Sequence, residues 1–410
     1  MSSSMKQISQ VIKEALSRLK PTIINNDNEH TKARDKKSHA NLDEIGKERN
    51  IKDEEKSDVE IIYTPTSHWP FQTLPARDPD HDEHQKRRSM PIRILVLDSS
   101  FNPPTKAHLA LASIALRSLI TQSEDRSGDS SGVEDGGPED NRGHDAHLLL
   151  LSVTNADKRL KAGDATYEQR LEMMYLTAKE MEERAAIERS KRNDGESEGR
   201  GAGTVVSSSS LGNVAVAAID EPTFVGKSQK LRETISKRLQ SLVDDAPGAI
   251  SPTTDFRLEL YFVLGFDTVT RLFDPKFYND SEDQMRRALD RFFNLAREGG
   301  DNSYVICARR TLSKEGGEPP LREEKEGKEQ AEEFLSSAMV SPYVRQGKIL
   351  LFDFENPLLK QVSSTKARNS VRWSYSEPVE EQREAMIETN LTRRIATYIA
   401  QAGLYIPDRM

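Results

Sequence analysis

Two short stretches, far apart in the chain, carry hydroxyls, small residues and single cations at spacings that suit an anionic ligand. The first is Ser99-Ser100-Phe101-Asn102-Pro103-Pro104-Thr105-Lys106-Ala107-His108, and the second is Val362-Ser363-Ser364-Thr365-Lys366-Ala367-Arg368. In the first, Pro103 and Pro104 have fixed φ and stiffen a loop just before a helix begins. Thr105 and His108 stand three apart, so one helical turn turns both side chains toward the same ligand. In the second, Ser364 or Thr365 can cap a helix start. Arg368 lies one turn further on, where its guanidinium can fork onto phosphate oxygens. Ser-Ser-Thr before a helix is also an ordinary cap, and the second stretch gains its meaning from being paired with the first. The chain shows no Cys–His or Ser–His–Asp signature. The chemistry on offer is holding and polarising phosphate.

Such residues need a frame. Branched apolar residues at 92–97 read as a buried strand, and 109–116 as the helix that follows the loop. Strand, tight loop and helix in that order turn backbone N–H groups onto a phosphate. Further strands are expected at 147–153, 214–219, 258–264, 304–308 and 349–352, with helices at 167–186 and 227–243. The alternation implies an α/β chain with a Rossmann-like parallel sheet and helices on both faces. Ligands bind such sheets beyond the carboxyl ends of the strands. Ser100 and its loop, Lys158, Phe224, Gly265, Asp267 and Arg309 all follow strands.

Composition bounds the rest. Only 35% of the 410 residues are hydrophobic and 31% are charged, an apolar share that polar insertions around one ordinary core explain. Insertions are expected near 123–145, 193–210 and 314–333, within one catalytic domain spanning 61–410. Residues 1–60 divide into a helix and a linker. Ile8, Val11, Ile12, Ala15, Leu16 and Leu19 recur at helical spacing and predict a helix that docks on the domain; a mitochondrial presequence is the alternative, weakened by Glu14 and the scarcity of Arg. Residues 21–60 are polar enough to be a disordered linker. Ile61-Ile62-Tyr63 and Trp69-Pro70-Phe71 can cover an edge of the domain. A net charge of −8 argues against general nucleic-acid binding. The single cysteine, Cys307, excludes internal disulfides and suits a reducing compartment. No apolar run approaches a membrane span, and Lys86-Arg87-Arg88 is too short to read as a nuclear signal.

The first stretch resembles the opening signature of the nucleotidylyltransferase superfamily, Gly-x-Phe-x-Pro-x-(His/Thr)-x-x-His. With Asn before Pro, and Thr in the first His position, it is similar to the form used by nicotinamide and nicotinate mononucleotide adenylyltransferases. One position departs: Ser99 stands where the signature has Gly. The second stretch resembles the superfamily's Ile-Ser-Ser-Thr-x-x-Arg motif. Leu264-Gly265-Phe266-Asp267 is similar to the Gly-x-Asp segment of the same enzymes, and Arg394 to Tyr405 resembles their final helix and Leu-Tyr ending. Arg271-Leu272-Phe273-Asp274-Pro275-Lys276-Phe277-Tyr278 makes the chain look closest to a divergent fungal branch.

The resemblance implies a nucleotidylyltransferase fold and transfer of AMP from ATP to nicotinamide mononucleotide, giving NAD and pyrophosphate. It assigns His108, helped by Thr105 and the N–H groups around Ser100 and Phe101, to the α- and β-phosphates. Ser363, Ser364, Thr365 and Arg368 would hold the β- and γ-phosphates, and Gly265 and Asp267 the adenosine side. For the mononucleotide it implies Lys158 and Arg170 at the phosphate, Phe224 stacked on the nicotinamide ring with Asp220 or Glu221 beside it, and Arg309 as a further cation. Read from the residues alone, Lys158 is by default a solvated loop charge, and Phe224, an aromatic in a loop after a strand, is as often core as binder. Mg²⁺ would arrive on ATP and keep mostly water ligands, without a metal site of the protein's own. Cytoplasmic or nuclear residence is implied. Two other functions stay open: another nucleotidylyltransferase of the fold, acting on phosphopantetheine or using CTP, and a non-enzymatic nucleotide-binding protein.

Overall fold

The structure, a computed structural model, describes residues 3–19, 57–73, 89–113, 145–154, 163–193, 210–245, 250, 255–309, 321–353, 362–374 and 387–406. Most of the expected linker, residues 123–144 of the first insertion, residues 194–209 of the second, residues 314–320 of the third, Lys86-Arg87-Arg88 and Lys158 lie outside the described residues.

Among the described residues, seven strands form one sheet: β1 (Val59–Tyr63), β2 (Ser89–Asp98), β3 (Ala146–Ser152), β4 (Val214–Ile219), β5 (Asp255–Gly265), β6 (Ser303–Arg309) and β7 (Ile349–Asp353). Their spatial order is β1-β4-β3-β2-β5-β6-β7. The last six strands of the chain are parallel; counted from β2 they run 3-2-1-4-5-6, the doubly wound order. β1 differs from the expected all-parallel sheet, because it pairs antiparallel with β4, Val59 opposite Ile219. It arrives without a crossover helix and covers an edge that would otherwise present unpaired backbone groups.

Helices lie on both faces. α1 (Ser3–Arg18), α2 (described over 106–113) and α3 (Tyr167–Asn193) cover one face, and α4 (Phe224–Asp245), α5 (Phe266–Leu272), α6 (Glu282–Phe293) and α7 (Leu321–Ser336) the other. The strands are apolar at nearly every position because alternate residues feed different cores. Ile92, Ile94 and Val96 of β2 join one core, and Leu95 and Leu97 join the other. Helices after β2 and β3 pack on one face and those after β4 and β5 on the other, so the winding reverses between β2 and β5. A ligand crevice forms at such a point.

α1 docks as its pattern predicts, burying Ile8, Ile12 and Ala15. Ser9 donates to Glu172 of α3, and Arg18 pairs with Glu60 of β1 at 2.8 Å. Residues 321–333, read from sequence as polar insertion, are helical in α7, whose Ala331 and Leu335 are buried. After α8 (Ser341–Arg345) and β7, α9 (Ser364–Ser374) and α10 (Arg393–Ala402) form a third cluster, in which Ala367, Val371, Ile395 and Ile399 meet Ala165 and Met173.

Candidate active site

β2 ends at Asp98, and the loop after it has its carbonyls turned inward by side chains of α3 and α9. Arg170 Nη1 donates to Ser100 O at 3.4 Å, Arg368 Nη1 to Asn102 O at 2.6 Å, and Ser364 Oγ to Pro103 O at 2.8 Å. The Asn102 side chain is buried; its Oδ1 accepts from the Tyr405 hydroxyl at 2.7 Å and from Ala165 N–H at 3.3 Å. Phe101 holds φ at 43°, a left-handed conformation that costs a non-glycine residue about 1–3 kcal/mol. Its ring is fully buried, worth roughly 1.5–3 kcal/mol, so ring burial and the four carbonyl and amide anchors hold the strained turn. With Ser100 O directed at Arg170, the Phe101 N–H of the same peptide plane points the other way.

The loop delivers Thr105 and His108 to the start of α2. Thr105 N–H donates to His108 Nδ1 at 3.0 Å, and Thr105 Oγ1 lies 2.9 Å from the same nitrogen. A backbone N–H can only donate, so Nδ1 accepts and the neutral ring carries its proton on Nε2. Nε2 in turn lies 3.0 Å from Ser99 Oγ. The imidazole packs against Phe101, with ring centroids 5.0 Å apart. Thr105 is 2% exposed. Its hydroxyl therefore sits behind the histidine and orients it, where the three-residue spacing alone suggested that both side chains would face outward together.

The second stretch closes on the first. Ser363 Oγ accepts from Lys366 N–H at 3.1 Å, so Ser363 caps α9. The cap falls one residue earlier than the sequence pattern suggested, because the helix begins at Ser364 and the third amide of the helix reaches back to Ser363. Ser364 is thereby released to bind Pro103 O, and Thr365 is exposed, accepting from Arg368 Nη2 at 3.3 Å. Arg170 is buried beneath the same loop, donating to Ala165 O at 2.9 Å, with Asp164 at 3.7 Å. Burial pulls its pKa below the usual arginine value; Asp164 opposes this and Arg368 adds to it. Burial likewise raises the Tyr405 phenol, against the pull of Arg170 and Arg368. Two guanidiniums and the starts of α2 and α9 thus converge on one loop, an arrangement suited to anionic oxygens.

The other expected residues that the structure describes sit at strand ends and helix starts. Gly265 precedes α5 with φ −74° and ψ 156°. A Cβ there would meet nothing within 4 Å, so the space beside it is open. Asp267 is exposed in the first turn of α5. Phe224 begins α4, half-buried, edge-on to Phe262 at 6.1 Å. Arg309 closes β6, in register with Asp353. Glu221 is held below the usual carboxylate range by hydrogen bonds from Thr223 and by Lys230, against its own burial.

Sequence patterns did not expose Lys227. It is buried in α4 with Nζ 2.5 Å from Asp98 Oδ2 and 4.6 Å from the centre of the Phe224 ring. A lysine one turn into a polar helix reads as solvated. The available signal was Asp98, a lone carboxylate ending an apolar strand. No group of three or more His, Cys, Asp or Glu side chains suited to a metal ion occurs among the described residues.

No family model matches the chain, and no curated protein matches it. Among solved structures it is similar to Plasmodium falciparum nicotinic acid mononucleotide adenylyltransferase complexed with NaAD, at 13% identity and a TM-score of 0.34, covering 77% of this chain and 97% of that one. The same enzyme complexed with APC gives 12% identity and a TM-score of 0.33, with the same coverage. The α/β architecture stands on the strand order and the two helix layers themselves.

Proposed function

We propose that this chain is a nucleotidylyltransferase that transfers AMP from ATP to nicotinamide mononucleotide, giving NAD and pyrophosphate. The observation that carries the reading is the closure of the two stretches on each other, with Arg368 on Asn102 O and Ser364 on Pro103 O. They meet at the crevice between β2 and β5, the expected place for a nucleotide.

The reaction is an in-line displacement. A 5′-phosphate oxygen of the mononucleotide forms a bond to the α-phosphorus of ATP as the α–β bridging bond breaks and pyrophosphate leaves. The nucleophile is already an anion, so no side chain need remove a proton. The protein's contribution is position and charge stabilisation. His108, oriented by Thr105, serves the α- and β-phosphates together with the Phe101 N–H. Arg368 and the start of α9 serve the β- and γ-phosphates. Arg170 supports the loop from beneath, through the Ser100 carbonyl.

Asp267 and the open space beside Gly265 suit the adenosine. Phe224 offers the mononucleotide base a ring backed by Lys227, and Lys158 and Arg309 are proposed as cations for its phosphate. Mg²⁺ would travel on the triphosphate and neutralise the departing pyrophosphate; Asp98, beside the loop, is already bound by Lys227.

Purified protein given ATP, Mg²⁺ and nicotinamide mononucleotide should release pyrophosphate and form NAD, and His108→Ala should abolish turnover with the fold intact. Full turnover by His108→Ala would remove the histidine from the mechanism. Turnover with CTP, or with phosphopantetheine, in place of these substrates would overturn the assignment.

A further inference from the structure

Ser99 has no task in the mechanism so far, yet it holds the outward nitrogen of His108. Nδ1 is occupied by Thr105 N–H, so the proton on Nε2 is directed at Ser99 Oγ, 3.0 Å away. A hydroxyl that accepts one hydrogen bond still has a proton to donate. Among the described residues the only side-chain hydrogen bond of Ser99 is the one to His108. Ser99 is half-buried, directly after β2, where the strand's carboxyl end opens into the crevice.

We propose that the Ser99 hydroxyl is the donor that touches the phosphoryl oxygens, with His108 behind it. This rests on the transferase reading and sharpens it. The donors line up in one direction: Thr105 N–H to Nδ1, Nε2–H to Ser99 Oγ, Ser99 O–H to phosphate oxygen. Each bond in such a chain polarises the next. As negative charge builds on the phosphoryl group, the whole relay strengthens, and no proton changes owner.

The test pairs pyrophosphate release with a double-mutant cycle read by ATP affinity. Ser99→Ala should lower kcat on the order of 10²-fold, and Ser99→Thr, which keeps the hydroxyl, should restore most of it. In a His108→Ala background, where turnover is already lost, Ser99→Ala should weaken ATP binding no further than His108→Ala alone, because both residues act through one bond. Wild-type kcat in Ser99→Ala, or losses of ATP affinity that multiply in the double variant, would overturn the proposal. ATP binding by calorimetry separates it from the reading on which it rests. Weaker ATP binding in Ser99→Ala, recovered in Ser99→Thr, in a protein that makes no dinucleotide would sink the substrate assignment and support the Ser99 donor. ATP binding equal in wild type and Ser99→Ala, or undetectable in both, would overturn the donor.

Discussion

Replacing Arg368 separates what the arginine does for the fold from what it is proposed to do for a triphosphate. Its Nη1 holds the Asn102 carbonyl at 2.6 Å and its Nη2 meets Thr365 Oγ1 at 3.3 Å. A hydrogen bond from a charged donor contributes about 1.5–3 kcal/mol when buried. Arg368 is half-exposed, so about 1 kcal/mol is the better expectation, and water can take over the carbonyl once the side chain is gone. For a chain of this size that lowers Tm by roughly 2–4 °C. Loss of a preorganised donor to developing charge costs far more, about 3 kcal/mol or on the order of 10²-fold in kcat/KM. Arg368→Ala should therefore unfold only slightly earlier by scanning calorimetry while losing about two orders of magnitude in pyrophosphate release. Arg368→Lys keeps a charge but not the fork, and should recover only part of the rate. Should Arg368→Ala match wild type in kcat/KM for ATP, the shared cradle is wrong. A collapse of Tm by tens of degrees would instead make Arg368 a structural clip.

Three further expectations test other parts of the molecule. Tyr405→Phe removes a buried donor to Asn102 Oδ1; it should cost about 1–2 kcal/mol in urea unfolding and also slow turnover, and a loss of stability with full activity would uncouple Asn102 from the site. Asp267→Asn lies on an exposed turn, so it should leave stability within about 0.5 kcal/mol but raise KM for ATP, and an unchanged KM would remove Asp267 from the adenosine side. Burial lowers the Lys348 ammonium from 10.5 to about 8, with Glu259 opposing. Between those values the unfolded chain binds a proton that the folded chain does not, so stability rises as pH climbs from 8 toward 10.5. The penalty is fully present below pH 8 and amounts to about 3 kcal/mol at most. Lys348→Met should be more stable than wild type at pH 7 and lose that advantage by pH 10, and an advantage independent of pH would refute the shift.

The frame was legible because its signals are local. Continuous apolar runs marked β2 to β7, since both faces of each strand are covered and no alternation survives. His108 and Arg368 stood out as candidates for a similar reason, each lying near the start of a helix that follows a strand, and Thr105 because it ends the loop three residues before His108. What escaped were relations that no short window contains. The antiparallel seat of β1 depends on which edge is open, and five residues of which only Val59 and Ile62 are buried do not say so. Lys227 looks like any lysine of a charged helix until Asp98, 129 residues earlier, is found against it. Thr105 faces inward because its own amide and hydroxyl both reach Nδ1, a local loop conformation rather than a spacing. The cap is Ser363 rather than Ser364 because the helix begins at Ser364, whose hydroxyl is left to bind Pro103 O, 261 residues away.

The loop after β2 cannot hold its shape alone. Phe101 sits in a left-handed conformation, and Pro103 and Pro104 contribute no N–H, so the turn depends on partners outside itself. Those partners come late in the chain: Arg368 is 266 residues beyond Asn102, and Tyr405 is 303 residues beyond it. Both are carried by the layer of α9 and α10, which packs on α3 through Ala367, Val371, Ile395 and Ile399. The site is therefore completed only when that layer docks, and the apolar contacts that dock it also set the position of the cation. A mutation that loosens α10 against α3, far from any phosphate, should disturb the loop before it disturbs the sheet, because the strands are held by their own two cores. Binding a triphosphate would act in reverse, tying the loop to α9 across a single anion and stabilising the docked layer by the free energy of binding.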